Sequence, residues 1–107
     1  MTSQVPVISR PEYKVFYELG AEGRILVHVQ VFAWNHRVAG RFKKDIDAAH
    51  ELLGEPVFAV FDPDNSRRRF FTKHGFRRVG IVSDLFGRPA ALYERIPPNG
   101  RQHHHFI

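Results

Sequence analysis

The chain has 107 residues, of which 43% are hydrophobic and 25% charged, a balance typical of one globular domain over residues 1–107. It has no cysteine, which excludes disulfides, thiolate zinc sites and cysteine nucleophiles. The net charge of +5 favours acidic partners such as nucleic acid, nucleotide phosphates or an acidic protein surface. No apolar run approaches the roughly 20 residues of a membrane span and no secretory signal is visible, so we expect a cytoplasmic protein with no membrane partner.

The first predicted elements are an N-terminal arm and a β-hairpin. Residues 1–11 carry two prolines and no hydrophobic periodicity, so they are predicted to be an arm. Aromatic and β-branched residues predict strands at Tyr13–Leu19 and at residues 25–34, separated by a glycine-containing turn. In the second strand, alternation places His28 and Gln30 on the face opposite the valines.

A helix with recognisable signals at both ends follows the hairpin. Asn35 is a candidate N-cap, and apolar residues recur at helical spacing over residues 38–53. Gly54 is expected to end the helix as its C′ residue. The short apolar run Val57–Phe61 is typical of a strand that is buried on both faces.

The last predicted elements are a short helix and a second hairpin. The helix is expected over residues 66–74 and the hairpin strands over residues 78–83 and 90–96, followed by a loose tail at 97–107. The predicted order is β-β-α-β-α-β-β. The strand–helix–strand unit in its centre predicts a parallel pair with a right-handed crossover, and therefore an α/β fold with a mixed sheet.

Residues 37–42, at the start of the first predicted helix, read Arg-Val-Ala-Gly-Arg-Phe. This hexapeptide resembles the pyrophosphate loop of the GNAT acetyltransferases. In that family a loop [Gln/Arg]-x-x-Gly-x-[Gly/Ala] opens a helix whose free N–H groups hold coenzyme A phosphates. Arg37 and Gly40 match the pattern, and Phe42 departs from it because a bulky ring is expected to crowd the phosphates. The resemblance implies an acetyl-CoA site formed by Arg37, Val38, Ala39, Gly40, Arg41, Phe42 and Asn65.

The rest of the resemblance covers roughly residues 25–96. It includes the strand about twenty residues after the loop, the Gly75-Phe76 pair after the short helix, and the terminal hairpin. Together these features resemble the second half of the family and imply a truncated GNAT-like fold.

Three departures from the family pattern concern catalysis. Many relatives carry a tyrosine that protonates the departing thiolate, but Phe71 stands at that position and has no proton to give. The asparagine that often holds the pantetheine arm falls nearest Asp64, with Asn65 one residue later. The N-terminal strand and two helices that shape the acceptor groove have no counterpart before Tyr13. The resemblance therefore implies an acetyltransferase-like protein with weak or no transfer activity.

His28 is the candidate catalytic residue. It lies on the strand that lines the acetyl-transfer site in the related proteins, and histidine is the usual general base near neutral pH. A half-exposed strand histidine with one hydrogen bond is the simpler interpretation. Both interpretations stay open on the sequence alone.

Two non-enzymatic functions also remain open. The basic first helix and the turn before the second resemble small GNAT-like virion and assembly proteins of T7-type short-tailed phages, which implies protein–protein contacts in a host cytoplasm or a virion. The second function is nucleic-acid association through six cations that have no acid among them, although a solvated face or a coenzyme phosphate site would also suit them. These cations are Arg67, Arg68, Arg69, Lys73, Arg77 and Arg78.

Two further predictions concern partners and metals. An exposed edge at Tyr13–Leu19 invites a protein partner or a second copy of the chain to complete the sheet. The tail residues His103, His104 and His105 have no acidic or cysteine neighbours at ligand spacing, so no metal site is predicted.

Overall fold

The computed structural model describes residues 3–63, 66–84 and 86–98, and within them the chain forms six strands and two helices. The elements in chain order are β1 (Gln4–Ser9), β2 (Tyr13–Leu19), β3 (Ile25–Val31), α1 (His36–Leu53), β4 (Val57–Phe61), α2 (Arg68–Lys73), β5 (Arg77–Ser83) and β6 (Pro89–Arg95).

The strands form one sheet in the order β1-β2-β3-β4-β6-β5. The β3–β4 pair is parallel, and the other four pairs are antiparallel. The predicted mixed sheet, with its central parallel pair and its flanking hairpins, is confirmed. Strand β3 ends at Val31, three residues earlier than predicted, because the backbone N–H groups of Phe32 and Ala33 both turn to the carbonyl oxygen of Glu12.

The N-terminal segment was predicted wrongly as an arm. Residues Gln4–Ser9 form strand β1, which pairs with β2 and covers the edge that was expected to be open. The prediction failed because Pro6 and the lack of alternating apolar and polar residues are not typical of a strand. Both features suit an outer strand, where proline is tolerated and where the bulge between Pro6 and Ile8 interrupts the regular register that another chain would need for pairing.

The ends of α1 are set by local chemistry, as predicted. The side chain of Asn35 accepts a hydrogen bond of 2.9 Å from the backbone N–H of Val38. Gly54 closes the helix with a φ of +73°, which a residue with a Cβ adopts only under strain. Helix α2 is shorter than predicted, spans six residues and lacks a side-chain cap.

Both helices cover the same face of the sheet, here called the helix face. The ring of Phe61 on β4 stacks between Phe71 of α2 and Tyr93 of β6, at centroid distances of 5.0 and 4.7 Å. On α1, the ring of Phe42 lies 5.0 Å from Tyr13 of β2 and 5.3 Å from Phe70 of α2. The opposite face, here called the open face, carries no helix within the described residues.

A buried polar network ties β6 to the helix face. The guanidinium of Arg95, which is 6% exposed, donates to Asp47, to Nδ1 of His50 and, at 2.7 Å, to the carbonyl oxygen of His74. Gly75 next to this network has a φ of +90°, and a Cβ there would lie 3.4 Å from the Arg95 guanidinium. The positive φ of Gly75 therefore favours glycine at this position, and Arg95 supplies the donors for all three acceptors.

Neither α1 nor α2 has the length and apolar character that would let it cross a membrane, and the described residues contain no other α-helix.

Candidate functional site

The central parallel strands separate soon after they begin. Strands β3 and β4 pair only at Ile25 with Val57 and at Leu26 with Phe58. Parallel strands in a regular sheet lie about 4.8 Å apart and pair along their length. Beyond these two pairs, β4 leaves the neighbouring edge of β3 unpaired, and a cleft opens between the strands.

Two cavities of about 310 and 410 Å³ lie along this cleft and share four lining residues, namely Val29, Gln30, Arg67 and Phe71. The smaller cavity includes Phe16, His28 and Val60 of the open face as well as Phe61 and Phe71 of the helix face. The larger cavity adds Val31, Phe32 and Phe70, and so continues along β3 toward the start of α1. The cleft, here called the β3–β4 cleft, thus passes between the two faces of the sheet.

His28 lines this cleft on the open face. Its Nε2 atom lies 2.6 Å from Oε1 of Glu18 on β2. The Glu18 side chain is 10% exposed and the His28 side chain 39%. Sequence analysis missed Glu18. The two residues are diagonal neighbours, since Glu18 pairs with Leu26 and His28 pairs with Phe16, and that relation follows only from the register of β2 against β3.

The predicted cofactor residues at the start of α1 are divided between solvent and core. Arg37 and Gly40 are exposed, and a Cβ at Gly40 would meet nothing within 4 Å. Arg37 takes part in no ion pair among the described residues. Val38 is buried and Ala39 half-buried in the core-facing side of the first turns. The exposed side chain of Arg37 therefore offers positive charge at this helix start, while the backbone N–H groups of Val38 and Ala39 are already bonded to Asn35.

Arg41 is engaged elsewhere. Its guanidinium forms an ion pair with Glu12 and lies 5.9 Å from the centroid of the Tyr13 ring. The hydrogen bond from Arg41 holds the pKa of Glu12 below its ordinary value. A neighbouring pair repeats the pattern, because the hydrogen bond from Arg10 lowers the pKa of Asp45. Arg41 therefore anchors the loop before β2 and does not present a free charge to a phosphate.

Phe42 lies away from the helix start. Its side chain has no exposed surface, and its ring contacts Tyr13, Trp34, Phe70 and His74 at centroid distances of 4.9 to 5.5 Å. The ring points into the core, so the expectation that it would crowd bound phosphates is wrong. The loop pattern predicted the position of Phe42 in the chain. The direction of its ring depends on which side of α1 faces the core, and only the structure shows that. Asn65 lies outside the described residues.

Phe71 lines both cavities and contacts Phe61 and Phe76, with the Phe76 ring at 5.2 Å. It therefore lies in the cleft, where its phenyl ring fills space but has no proton to donate.

Gln30 lines both cavities as well, and is the polar side chain of β3 nearest to His28 along the same face.

The cations predicted as a basic patch divide into two groups. Arg67 lines the cleft. The other five are exposed, and none of them forms an ion pair within the part of the chain that the structure describes. This group, here called the basic surface, consists of Arg68, Arg69, Lys73, Arg77 and Arg78.

Metal-ligating side chains do not come together in groups of three or more within residues 3–63, 66–84 and 86–98. The tail residues His103, His104 and His105 lie outside these ranges.

Comparison with known proteins identifies the fold. No protein-family model matches the chain, and no curated protein does either. Among solved structures, the chain matches a Bordetella pertussis protein described as a GnaT-family acetyltransferase, with a TM-score of 0.61 and 17% sequence identity. The match covers 78% of this chain and 56% of that protein, so this chain spans little more than half of its length. The fold is therefore GNAT-like, and at this identity the likeness concerns the fold alone.

Proposed function

We propose that the chain binds an acyl-coenzyme A thioester, acetyl-CoA in the first instance, in the β3–β4 cleft, and that it transfers the acyl group slowly or not at all. The observation that carries this proposal is the early separation of β3 from β4 after Leu26 and Phe58. An unpaired strand edge offers backbone N–H and C=O groups to an extended amide-containing chain, which can add to it as a further strand would. The pantetheine arm is such a chain.

The dimensions and lining of the cleft support this ligand. Its two cavities follow β3 and share two apolar lining residues, Val29 and Phe71, and two polar ones, Gln30 and Arg67. The exposed start of α1, with Arg37 and Gly40, offers positive charge for phosphates. The GNAT-like fold adds a parallel, since the B. pertussis protein with the same fold is described as an acetyltransferase.

Slow transfer is expected from the side chains that the cleft holds. Phe71 provides no proton for a leaving thiolate, and the described residues of the cleft include no tyrosine or lysine. A base on the open face, His28, is present. The chemistry therefore has one candidate proton acceptor and no separate donor.

A matched pair of substitutions tests the cleft. Val60 and Val79 are both strand valines, 41% and 45% exposed, but only Val60 lines the cleft. An indole from Val60→Trp should fill the gap and weaken acetyl-CoA binding at least about tenfold in calorimetric titration, or about 1.4 kcal/mol. Val79→Trp on the outer strand β5 should leave it unchanged. No heat from the wild-type protein at millimolar acetyl-CoA would end the proposal.

The helix start is tested separately with a ligand that lacks phosphates. Arg37→Ala should weaken acetyl-CoA binding but leave the binding of acetyl-pantetheine unaffected, because only the former carries the anions that Arg37 would meet. Equal losses for both ligands would mean that Arg37 acts through the structure of the cleft instead.

A second candidate function is a non-enzymatic contact role, as in the phage assembly proteins that the sequence resembles. A groove of about 620 Å³ runs between β1 and α1, and Leu52 at its margin is 89% exposed. We propose a second copy of the chain as its occupant. Leu52→Glu should then abolish a dimer seen by analytical ultracentrifugation, whereas Ala21→Glu in an exposed turn should not. A monomer at high concentration would contradict this role.

A third candidate function is nucleic-acid association through the basic surface. Its five cations lie on α2 and β5, free of ion pairs among the described residues. Binding to duplex DNA should fall steeply with added salt, because each neutralised phosphate releases counterions. Arg68→Glu should weaken binding more than Lys44→Glu on α1. Absence of binding at low salt would exclude this function.

A further inference from the structure

Glu18 and His28 form a partly buried carboxylate–imidazole contact beside the cleft. The distance from His28 Nε2 to Glu18 Oε1 is 2.6 Å, which is short even for a charge-assisted hydrogen bond. Glu18 is almost enclosed, with its side chain 10% exposed, while the side chain of His28 is 39% exposed. The carboxylate is thus the fixed member of the pair and the imidazole its accessible member.

The hydrogen bond determines which nitrogen of His28 is free. A carboxylate can only accept, so the proton in the contact belongs to Nε2. In the neutral ring the lone pair then lies on Nδ1. Within residues 3–63, 66–84 and 86–98, His28 forms no other hydrogen bond, and it is one of the residues that line the cleft. Nδ1 is therefore available to a proton on a molecule in the cleft.

The coenzyme thioester and the acceptor would approach the cleft from different faces of the sheet. The start of α1 and Phe70 of the larger cavity lie on the helix face, where the coenzyme would enter, while Gln30 of the same cavity lies on the open face. Phe16, Glu18 and His28 belong to the open face, which no described helix covers. A thioester that reaches through the gap between β3 and β4 would meet an acceptor that arrives beside His28.

We propose that His28 acts as both base and acid in acyl transfer to an amine, and that Glu18 is its positioning residue. This proposal rests on the acyl-thioester cleft proposed above. As the amine nitrogen bonds to the acyl carbon, Nδ1 takes a proton from that nitrogen. As the carbon–sulfur bond breaks, Nδ1 returns the proton to the thiolate, and the products are an amide and a thiol. The single imidazole supplies the proton that Phe71 cannot.

Glu18 has two tasks in this step. It keeps the neutral imidazole as the Nε2–H tautomer, with the lone pair directed to the substrate, and its charge stabilises the imidazolium that forms in between. Replacement by glutamine removes the charge. It also allows either tautomer, because an amide can accept a hydrogen bond from one ring nitrogen or donate one to it.

The first arm of the test reads the tautomer directly in the free protein. Long-range ¹H–¹⁵N spectra of the histidine rings in alkaline buffer should show His28 as the Nε2–H form alone, with His28→Gln assigning its signals. Glu18→Gln should convert it to a mixture of tautomers. His36, an exposed histidine at the start of α1, serves as an internal reference that should not change. An unchanged His28 tautomer in Glu18→Gln would overturn the role of Glu18.

The second arm measures acetyl transfer from acetyl-CoA to N-acetyl-lysine amide, a minimal primary amine. Glu18→Gln should lower kcat about tenfold to a hundredfold and His28→Gln at least as much, with the KM for acetyl-CoA within about twofold of wild type. Glu51→Gln, an exposed carboxylate on α1, is the matched control.

The two levels of the proposal fail differently. If calorimetry finds no acetyl-CoA binding, the cleft proposal fails and the transfer role of the pair fails with it. If acetyl-CoA binds but the wild-type protein transfers no acetyl group, or Glu18→Gln or His28→Gln transfers as fast as wild type, the cleft proposal stands and the role of the pair is overturned.

Discussion

The two faces of the sheet use their polar side chains differently. On the helix face, Asp47, His50, His74 and Arg95 are bonded to one another or to backbone, and three of the four are at most 9% exposed. On the open face, His28 Nε2 contacts Glu18, and the side chain of His28 stays 39% exposed. A buried polar group whose donors and acceptors are all hydrogen-bonded contributes to stability. A polar group at a cleft with an unused hydrogen-bonding atom is available for chemistry.

The sharpest test of this difference compares Arg95 with His28. Arg95→Met should lower the free energy of unfolding by about 3 kcal/mol, because Oδ1 of Asp47, Nδ1 of His50 and the His74 carbonyl oxygen lose their donor. His28→Gln should cost less than about 1 kcal/mol, since the pair is partly exposed. Urea denaturation measures both. Equal losses would mean that the open-face pair is structural.

Acid should weaken the helix face through its buried histidines. Burial lowers the pKa of His50 and of His74 in the folded protein. Their contribution is therefore complete above the unfolded-state pKa of about 6.5 and is lost as the pH falls below it. Each histidine should remove up to about 1.4 kcal/mol per pH unit until the folded pKa is reached. The measurement is urea denaturation between about pH 7 and pH 5.

The control for that pH dependence is His50→Gln, which should flatten the slope of stability against pH. The carboxylates Glu12 and Asp45, whose pKa values are lowered by Arg41 and Arg10, lose their contribution only at more acidic pH. A slope that persists unchanged in His50→Gln and His74→Gln would contradict the assignment to these two residues.

Phe71→Tyr should raise acetyl transfer about tenfold if the cleft holds acetyl-CoA, because a phenol at this position can protonate the thiolate. In combination with His28→Gln it should rescue part of the lost rate, since the two residues would share the role of acid. An assay of free thiol release measures both variants. No gain in the single variant would indicate that proton supply does not limit the reaction.

The smallest effect is expected at the helix cap. Asn35→Ala removes the acceptor for the Val38 N–H and should cost about 1 kcal/mol of stability. Asn35→Asp keeps an acceptor and should cost much less. Thermal unfolding of both variants measures the difference, and equal stabilities would show that the cap contributes little here.

Much of the fold could be predicted from the sequence because its signals are local. Asn35 and Gly54 mark the ends of α1 through their own hydrogen-bonding and backbone preferences, and both were placed correctly. Strand β1 was missed, because Pro6 and the absence of alternation resemble a loop unless the partner strand is known. Helix α2 was predicted to begin too early. Residues 66–67 form a turn before it, and residue types that favour a turn are also found at helix starts.

The candidate site depended more on tertiary structure. His28 was found as a polar residue on a strand face, but its partner Glu18 lies ten residues earlier and is joined to it only by the register of β2 and β3. Phe42 and Arg41 were predicted at the phosphate loop from the loop pattern, and both side chains turn away from it, Phe42 into an aromatic cluster and Arg41 to Glu12.

The sequence by itself therefore determined the order of the elements after β1, the capping of α1, and the lack of a proton donor at Phe71, because these depend on residue type and neighbours in the chain. Only the tertiary structure decided the separation of β3 from β4, the direction of the Phe42 ring and the contact of Glu18 with His28. Those features depend on how strands and helices pack, and sequence spacing carries no direct record of such contacts.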